Sequence, residues 1–318
     1  MKRFKNILIV CDEDGDAEIA VERGLWLAKA NGARATLLDV IETSKGTLGA
    51  SFASLPEARA SEIEDQILIH YTDRLRSRAA DFEDAGVAVD VEVVQGVGFI
   101  EAIRAVLRNS HDLIVKNASP SSTSNWLFAG NDMHILRKCP CPVWMLKADQ
   151  PRRTERILAA IDPDPLDPTR DALNRVTMEL ATSLAERDEA ELHVINAWRL
   201  QEETTLRSGR FAMSDSEIAT ILAGEQAEAQ ARLDAFLERF PQGAKRREVI
   251  LRKGFAGDVI PEYARAANID TVVMGTLGRA GIRGLFIGNT AETILGAVHC
   301  SVMTIKPPGF ETPVELED

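Results

Sequence analysis

The sequence predicts an α/β protein with two tandem domains, each a five-stranded parallel sheet with helices on both faces. Three observations lead to this prediction. The chain has 318 residues, which allows two domains that each bury a core. The second half repeats the pattern of the first. Within each half, short apolar runs alternate with helical patterns, as in parallel sheets joined by right-handed crossovers.

The repeat is visible as matching segments, two of which have the same spacing. DLIVKNAS begins at Asp112 and DTVVMGTL begins at Asp270, an offset of 270 − 112 = 158. The same offset relates LFAGND from Leu127 to LFIGNT from Leu285. KNILIVCD (5–12) also matches ERILAAID (155–162). We therefore predict two copies of one folding unit.

The domain limits follow from the repeat and from composition. We predict an N-terminal domain over 1–148 and a C-terminal domain over 155–308. Residues 149–154, within the polar stretch ADQPRRTE, form the linker, and 309–318 form an acidic tail.

In the first copy, the apolar runs predict five strands. Helical spacing of apolar residues predicts a helix from Ala17 to Ala28, a second ending near Ala85 and a third over Ile100–Leu107. The predicted strands are Ile7–Cys11, Ala35–Ile41, Val87–Val94, Asp112–Lys116 and Val143–Lys147.

The second copy repeats this order. Asp167 and Pro168 are a favourable N-cap and first residue for the helix that follows its first strand. A long helix begins near Ser214, and its apolar stripe extends to Phe240. The predicted strands are Arg156–Ile161, Glu191–Ala197, Val249–Arg252, Thr271–Met274 and Val302–Ile305, and the remaining helices are Val259–Ala267 and Ala291–Ala297.

A glycine-spaced loop follows the fourth strand of the second copy. Gly275 ends the strand, Gly278 follows, and Gly288 precedes Asn289 and Thr290 at the start of a helical pattern. Glycines let backbone N–H groups approach a phosphate, and a helix N-terminus adds unpaired donors and a favourable dipole. The build is therefore typical of an anion-binding site.

Other residues of the second copy converge on the same sheet edge, where open α/β sheets bind their ligands. Asp162 could accept hydrogen bonds from a ribose, and the segment 194–196 could provide an apolar wall for adenine. Lys253 also lies there, and Arg279 and Arg283 supply positive charge in the loop. Taken singly, these residues could equally be turn formers and solvated charges.

The spacing G-x2-G-x9-G, followed by a hydroxyl residue, is similar to the nucleotide-binding signature of the universal stress protein family. Over its full length the chain resembles a tandem-domain member. The resemblance implies a Rossmann-like (adenine nucleotide alpha hydrolase-like) fold of strand order 3-2-1-4-5, and binding of ATP, with or without Mg²⁺. Asn289 stands where the family has Ser or Thr, and the hydroxyl comes at Thr290. The contacts implied are Asp162, Val194, Met274, Gly275, Gly278, Gly288, Asn289 and Thr290.

The first copy departs much further from the motif. Asn117 stands where Gly275 does, and Pro120 where Gly278 does. Proline removes an N–H donor and asparagine restores a Cβ. Asp132 in the same loop would repel a phosphate. We therefore expect the first copy not to bind ATP in this way.

Motifs of dedicated catalysis are missing. The P-loop needs a Gly-Lys pair, which occurs nowhere in the chain, and no G-x-S-x-G elbow is present. No paired carboxylates flank the predicted site at motif spacing. The sequence therefore predicts a binding protein rather than an enzyme.

The net charge and the apolar runs limit the possible partners and the location of the protein. A formal net charge of −12 argues against nucleic acid and anionic membranes as partners. No apolar run reaches the length of a membrane span or signal peptide, so we expect a cytoplasmic protein.

Four cysteines do not make a disulfide framework in a chain of this size. Cys139-Pro140-Cys141 could suggest a metal or redox pair, but buried packing is the simpler interpretation.

Two functions of different classes stay open. The first is a stress-response or regulatory protein that holds ATP in its C-terminal copy. The second is a nucleotide-free scaffold, or a binder of an apolar ligand near Phe52 and Phe211. A slow ATPase is a weaker alternative. We also expect strands Val143–Lys147 and Val302–Ile305 to pair within the chain, and homodimerisation stays open.

Overall fold

In the structure, a computed structural model, the chain divides into two units. Unit 1 takes its described residues from Met1–Arg152 and Ser301–Asp318, and unit 2 from Arg153–Arg279 and Ile287–Cys300. The chain from Ser301 onward thus groups with unit 1. The described residues are 3–11, 17–42, 48, 52, 54–119, 128, 130–147, 153–208, 213–240, 246–276 and 287–316.

Unit 1 contains six strands and four helices within its described residues. The strands are β1 (Asn6–Val10), β2 (Arg34–Ile41), β3 (Val89–Gln95), β4 (Leu113–Asn117), β5 (Val143–Leu146) and β10 (Ser301–Ile305). The helices are α1 (Glu18–Asn31), α2 (Glu57–Asp84), α3 (Gly98–Asn109) and α4 (Gly130–Lys138).

Unit 2 contains four strands and five helices in the part of it that is described. The strands are β6 (Arg156–Ala160), β7 (Glu191–Trp198), β8 (Arg246–Lys253) and β9 (Thr271–Gly275). The helices are α5 (Pro168–Asp188), α6 (Glu203–Arg207), α7 (Asp215–Leu237), α8 (Ala256–Ala266) and α9 (Asn289–Ala297).

The sheet of unit 1 runs in the order β3-β2-β1-β4-β5-β10. Its first five strands are parallel and confirm the order 3-2-1-4-5 for the first copy. All five residues of β1 are buried, because helices cover both faces of a parallel sheet. The carboxyl ends of β1 and β4 therefore meet at one edge, beside the switch point of the topology.

The first four strands of the second copy also follow the predicted order. They run β9-β6-β7-β8, which is the parallel order 3-2-1-4 read from the other side. Strand β10 pairs antiparallel with β5, with Val302 opposite Met145 and Thr304 opposite Val143, which confirms the predicted pairing of these two strands within the chain. This pairing satisfies backbone groups of β5 that would otherwise lie at a sheet edge.

Equivalent aspartates fasten the start of the first strand in each copy. Asp112 accepts the backbone N–H groups of Lys5 at 2.6 Å and Asn6 at 3.1 Å. Asp270, 158 residues later, accepts those of Glu155 at 2.7 Å and Arg156 at 2.8 Å. The repeat thus extends to hydrogen bonds.

Helix ends are set by side-chain caps where the sequence supplies them. Asp167 accepts the N–H of Arg170 at 3.0 Å with Pro168 at the first turn, which confirms the predicted start of α5. Ser214 and Glu217 form a capping box before α7. That helix ends at Leu237, so Phe240, predicted within its stripe, lies beyond it.

His111, just before β4, makes folding of unit 1 sensitive to acid. It is buried, and burial, followed by the positive charge of Arg34, lowers its pKa from 6.5 to about 4. The Asn6 backbone and Asp90 oppose this shift. The unfolded chain therefore binds more protons between the two pKa values, so stability falls as pH drops from 6.5 towards 4.

We expect His111→Phe to flatten this dependence. The wild type should lose up to about 3 kcal/mol of unfolding free energy through this group across that window, and the variant should not. Urea unfolding at a series of pH values measures the free energy of unfolding of both proteins. The difference between them removes the contribution of the other histidines, which both proteins share. Parallel pH curves for both proteins would contradict the assignment.

Candidate functional site

The carboxyl edge of the unit 2 sheet carries the residues predicted to bind a ligand. Asp162 follows β6 by two residues, and two asparagine amides hold the chain there. Asn174 of α5 exchanges two hydrogen bonds with the Asp162 backbone, at 3.0 and 2.8 Å. Asn196 of β7 donates to the carbonyl of Ile161 at 3.0 Å. Both asparagines are buried, so the backbone at Asp162 is rigidly placed.

The carboxylate of Asp162 faces solvent at this edge. Its side chain is 56% exposed, and the guanidinium of Arg170 lies 3.4 Å away. Arg170 also contacts Asp164 at 3.1 Å and Asp167 at 3.7 Å. One arginine thus partly neutralises three carboxylates, while Asp162 keeps the accessibility that a ribose acceptor requires.

Val194 and Met274 lie in the core beside this edge. Val194 is fully buried in β7 and pairs with Ala159 of β6, one residue before the last paired position of that strand. Met274 is also buried and pairs with Ala160. The structure therefore gives both side chains packing roles beneath the site, whereas Asn196 lies further towards the edge.

Gly275 has a packing function that sequence reasoning missed. A Cβ atom there would lie 2.5 Å from Cδ2 and 2.6 Å from Cγ of Leu173, which is buried in α5. The missing side chain therefore lets α5 pack against the end of β9. The only sequence signal was the place of Leu173 in the apolar stripe of α5.

The chain returns to the end of β9 at the start of α9. The N–H of Gly288 donates to the carbonyl of Thr276 at 3.3 Å, which brings Asn289 and Thr290 to the strand end. Gly288 is the N-cap, and no side chain among the described residues caps it. First-turn N–H groups of a helix in this state can bind an anion. Gly278, Arg279 and Arg283 lie outside the described residues.

The carboxyl end of β8 lies at the same edge of the sheet. Gly254 has a φ of +145°, which favours glycine, and its N–H donates to the carbonyl of Trp198 at 2.9 Å. Lys253 bonds Glu203 of α6 at 2.7 Å, and Arg207 approaches the same carboxyl at 3.1 Å. These cations, Lys253 first, lower the pKa of Glu203. The short helix α6, absent from the sequence prediction, is thereby tied to the end of β8.

The matching edge of unit 1 holds a buried ion pair. Lys116 of β4 lies 2.9 Å from Asp132 of α4, and their side chains are 3% and 0% exposed. Asp132 also accepts the N–H of Ser119 at 2.7 Å. The Asp132 carboxylate thus accepts hydrogen bonds from groups in and just after β4. This is the edge at which the first copy was predicted not to bind ATP. Pro120 lies outside the described residues.

A second carboxylate acts in the same way at this edge. Glu42, after β2, accepts the N–H of Gly98 at the start of α3 at 2.8 Å. It also accepts Nδ2 of Asn131 at 2.7 Å. Asn131 is the counterpart of Asn289. In the first copy this amide donates to a carboxylate of the protein, whereas in the second copy it could donate to a ligand.

The second copy has neither carboxylate. At the offset of 158, Thr290 stands for Asp132 and Met274 for Lys116. Arg199 stands for Glu42, because each directly follows the strand residue whose carbonyl accepts the N–H of Gly254 or Gly96. The two edges thus share one backbone plan but differ in charge. The first satisfies its donors internally, and the second keeps a neutral, glycine-capped helix start beside an exposed Asp162.

In the described part of the chain, no group of three or more His, Cys, Asp or Glu residues could hold a metal ion. None of the described helices combines the length and apolar character that a membrane span requires.

Comparison with known proteins gives one consistent result. The sequence profile of the universal stress protein family matches the chain twice, over residues 3–147 and 153–306. The chain is 29% identical to universal stress protein E of Escherichia coli K12 over 322 aligned residues, covering 100% of this chain and 99% of the relative. It is 25% identical to a universal stress protein E homologue of Haemophilus influenzae, covering 96% and 98%.

Solved structures show the same fold. A universal stress protein from Pseudomonas aeruginosa UCBPP-PA14 superposes with a TM-score of 0.69 at 22% identity, covering 96% of this chain and 94% of that one. A protein of unknown function from Pseudomonas aeruginosa PAO1 gives a TM-score of 0.71 at 22% identity, with the same coverage.

Proposed function

Because this chain belongs to the universal stress protein family, we propose that it is a non-catalytic regulatory protein that binds ATP at the edge of unit 2. The nucleotide would lie across the carboxyl ends of β6, β7 and β9. Its occupancy would change the protein's shape or its contacts with partners. The proposal concerns one site per chain.

The observation that carries the proposal is the contrast between the two copies. In unit 1, Asp132 and Glu42 accept the N–H groups and amides at the sheet edge. In unit 2 the corresponding residues are Thr290 and Arg199, which cannot act as anions. A helix start that lacks its own carboxylate, beside glycines, has the electrostatics to favour an anionic ligand.

The remaining residues would share the parts of the nucleotide. Asp162 would accept hydrogen bonds from the ribose hydroxyls, since its carboxylate is exposed and its backbone is held by Asn174. Gly288, Asn289 and Thr290 would donate to phosphate oxygens. Gly278 and Arg279 would complete the phosphate contacts. Core residues Val194 and Met274 would support the adenine pocket from below.

A role without catalysis fits the same geometry. Phosphoryl transfer needs a carboxylate or other group to position the attacking nucleophile, and metal ions to neutralise the charge that develops. Around Asp162 the described carboxylates are shared by Arg170, which would compete with a metal ion for them. We propose binding without dedicated hydrolysis.

The test is nucleotide content followed by titration. Freshly purified protein is denatured and its small molecules are separated by anion exchange; stripped protein is then titrated with ATP by calorimetry. We expect about one ATP per chain. Asp162→Ala should weaken binding roughly 10- to 100-fold, the loss of a hydrogen bond to a charged acceptor.

The repeat provides a matched control. Asp12 stands in KNILIVCD where Asp162 stands in ERILAAID, so Asp12→Ala removes the equivalent carboxylate from the first copy. ATP affinity should be unchanged in that variant. Equal losses in both variants would refute the assignment to unit 2. No heat with millimolar ATP and no released nucleotide would favour the scaffold or apolar-ligand function near Phe52; Phe211 lies outside the described residues. Turnover that rises with Mg²⁺ would favour the ATPase.

A further inference from the structure

Two cysteines of unit 1 lie in contact between α4 and β5. Cys139 follows the last residue of α4, and Cys141 comes two residues before β5 begins. Their Sγ atoms are 3.4 Å apart. Cys139 is fully buried and Cys141 is 8% exposed, and both are free thiols. The ATP site uses neither of them, since both belong to the other unit.

A buried lysine shares this region. Lys306 follows β10, and its Nζ donates to the carbonyls of Leu136 at 2.7 Å and Arg137 at 2.9 Å, at the C-terminal end of α4. Burial lowers its pKa to about 8, and negative charge on Cys139 and Cys141 acts in the opposite direction. The ammonium therefore lies close enough to both sulfurs to stabilise a thiolate.

The pair is better arranged for oxidation than for metal binding. Two thiolates on a tetrahedral ion with bonds of about 2.3 Å lie roughly 3.75 Å apart, so these sulfurs would have to separate to admit one. No third ligand group accompanies them, because the described residues hold no His, Cys, Asp and Glu cluster of three or more. A disulfide needs the opposite movement, a closer approach to about 2.05 Å.

The two thiols are in hydrogen-bond contact. Their Sγ atoms are 3.4 Å apart, and either can be the donor. This contact, followed by burial, raises the pKa of Cys141 well above its usual value. Whichever sulfur is oxidised first has the other within hydrogen-bond distance.

We propose that Cys139 and Cys141 form a reversible disulfide when the protein meets a peroxide, which makes unit 1 a redox-modified site. The thiolate of one cysteine attacks one oxygen of hydrogen peroxide and becomes a sulfenic acid, and the departing hydroxide takes up a proton as water. The thiol sulfur of the other cysteine then attacks this oxidised sulfur and expels a second hydroxide, which accepts the thiol proton. Two thiols and one peroxide give one disulfide and two waters.

The experiment treats folded, reduced protein with hydrogen peroxide, then denatures it and alkylates the remaining thiols. We expect oxidation to make the chain about 2 Da lighter before alkylation, and alkylation then to modify only Cys11 and Cys300, because Cys139 and Cys141 are joined. Dithiothreitol should restore four alkylated cysteines. Burial of both sulfurs makes the reaction slow, and its rate should rise with pH.

Three variants make the result decisive. Cys141→Ser should stop at a sulfenic or higher acid on Cys139. Lys306→Met should slow disulfide formation, whereas Lys306→Arg, which keeps the charge, should slow it less. Circular dichroism before oxidation checks that each variant is folded. Unreacted thiols in the wild type, sulfinic acid without a disulfide, or equal rates in both Lys306 variants would overturn the proposal.

Discussion

Asp132→Ala is expected to lower the free energy of unfolding by about 3–5 kcal/mol, the cost of leaving a buried charge without its partner. The side chains of Asp132 and Lys116 are 0% and 3% exposed, and their charges are 2.9 Å apart. Removal of the carboxylate also takes the acceptor from the Ser119 N–H. The Lys116 ammonium would then lose a buried carboxylate 2.9 Å away. Urea unfolding of unit 1 at neutral pH measures the loss.

The chain supplies its own control for this prediction. The second copy has Met274 and Thr290 where the first has Lys116 and Asp132. The double variant Lys116→Met, Asp132→Thr installs that neutral pair, and it should recover most of the stability that Asp132→Ala loses. A buried ion pair replaced as a unit by residues of similar volume is often neutral or stabilising. A double variant no more stable than Asp132→Ala would show that charge is not the cause.

The converse substitution, Thr290→Asp, is expected to weaken ATP binding at least about 100-fold. It places in unit 2 the carboxylate that unit 1 carries at Asp132, at the start of α9. Like charges brought together at a site cost several kcal/mol, and about 2.7 kcal/mol already corresponds to a 100-fold change. Calorimetric titration with ATP measures the effect.

Thr290→Asn is the matched variant, because it has nearly the same size as aspartate without the charge. Its affinity should stay within about tenfold of the wild type, since an amide can still donate to a phosphate. Unfolding midpoints of both variants establish that the fold is kept. Equal losses for Asp and Asn would point to shape, and unchanged binding in Thr290→Asp would place the nucleotide elsewhere.

Much of the fold followed from local patterns. Apolar runs without alternation predicted parallel strands, and all ten predicted strands overlap observed ones. Asp167 before Pro168 predicted a helix start that the structure confirms. The edge at Asp162 also followed, because carboxyl ends of parallel strands meet wherever the order reverses.

Helix α4 shows where local pattern failed. Its sequence, GNDMHILRK, has few apolar residues and a charged first turn, so it gave no periodic signal. Its counterpart α9 was predicted, and the offset of 158 would have indicated the missing helix. Local pattern also placed the end of α7 too late, at Phe240 instead of Leu237. Phe240 continues the apolar spacing, yet it packs on Phe236 from beyond the helix, with ring centroids 5.1 Å apart.

By itself, the sequence determined the two-copy α/β plan, the glycine loop after β9 and the family, since these depend on periodicity, spacing and residue type along the chain. Only the tertiary structure decided that Gly275 makes room for Leu173 and that Asp132 is neutralised by Lys116. The physical reason is that close packing and buried charge depend on groups far apart in sequence. No local pattern records which of them will meet.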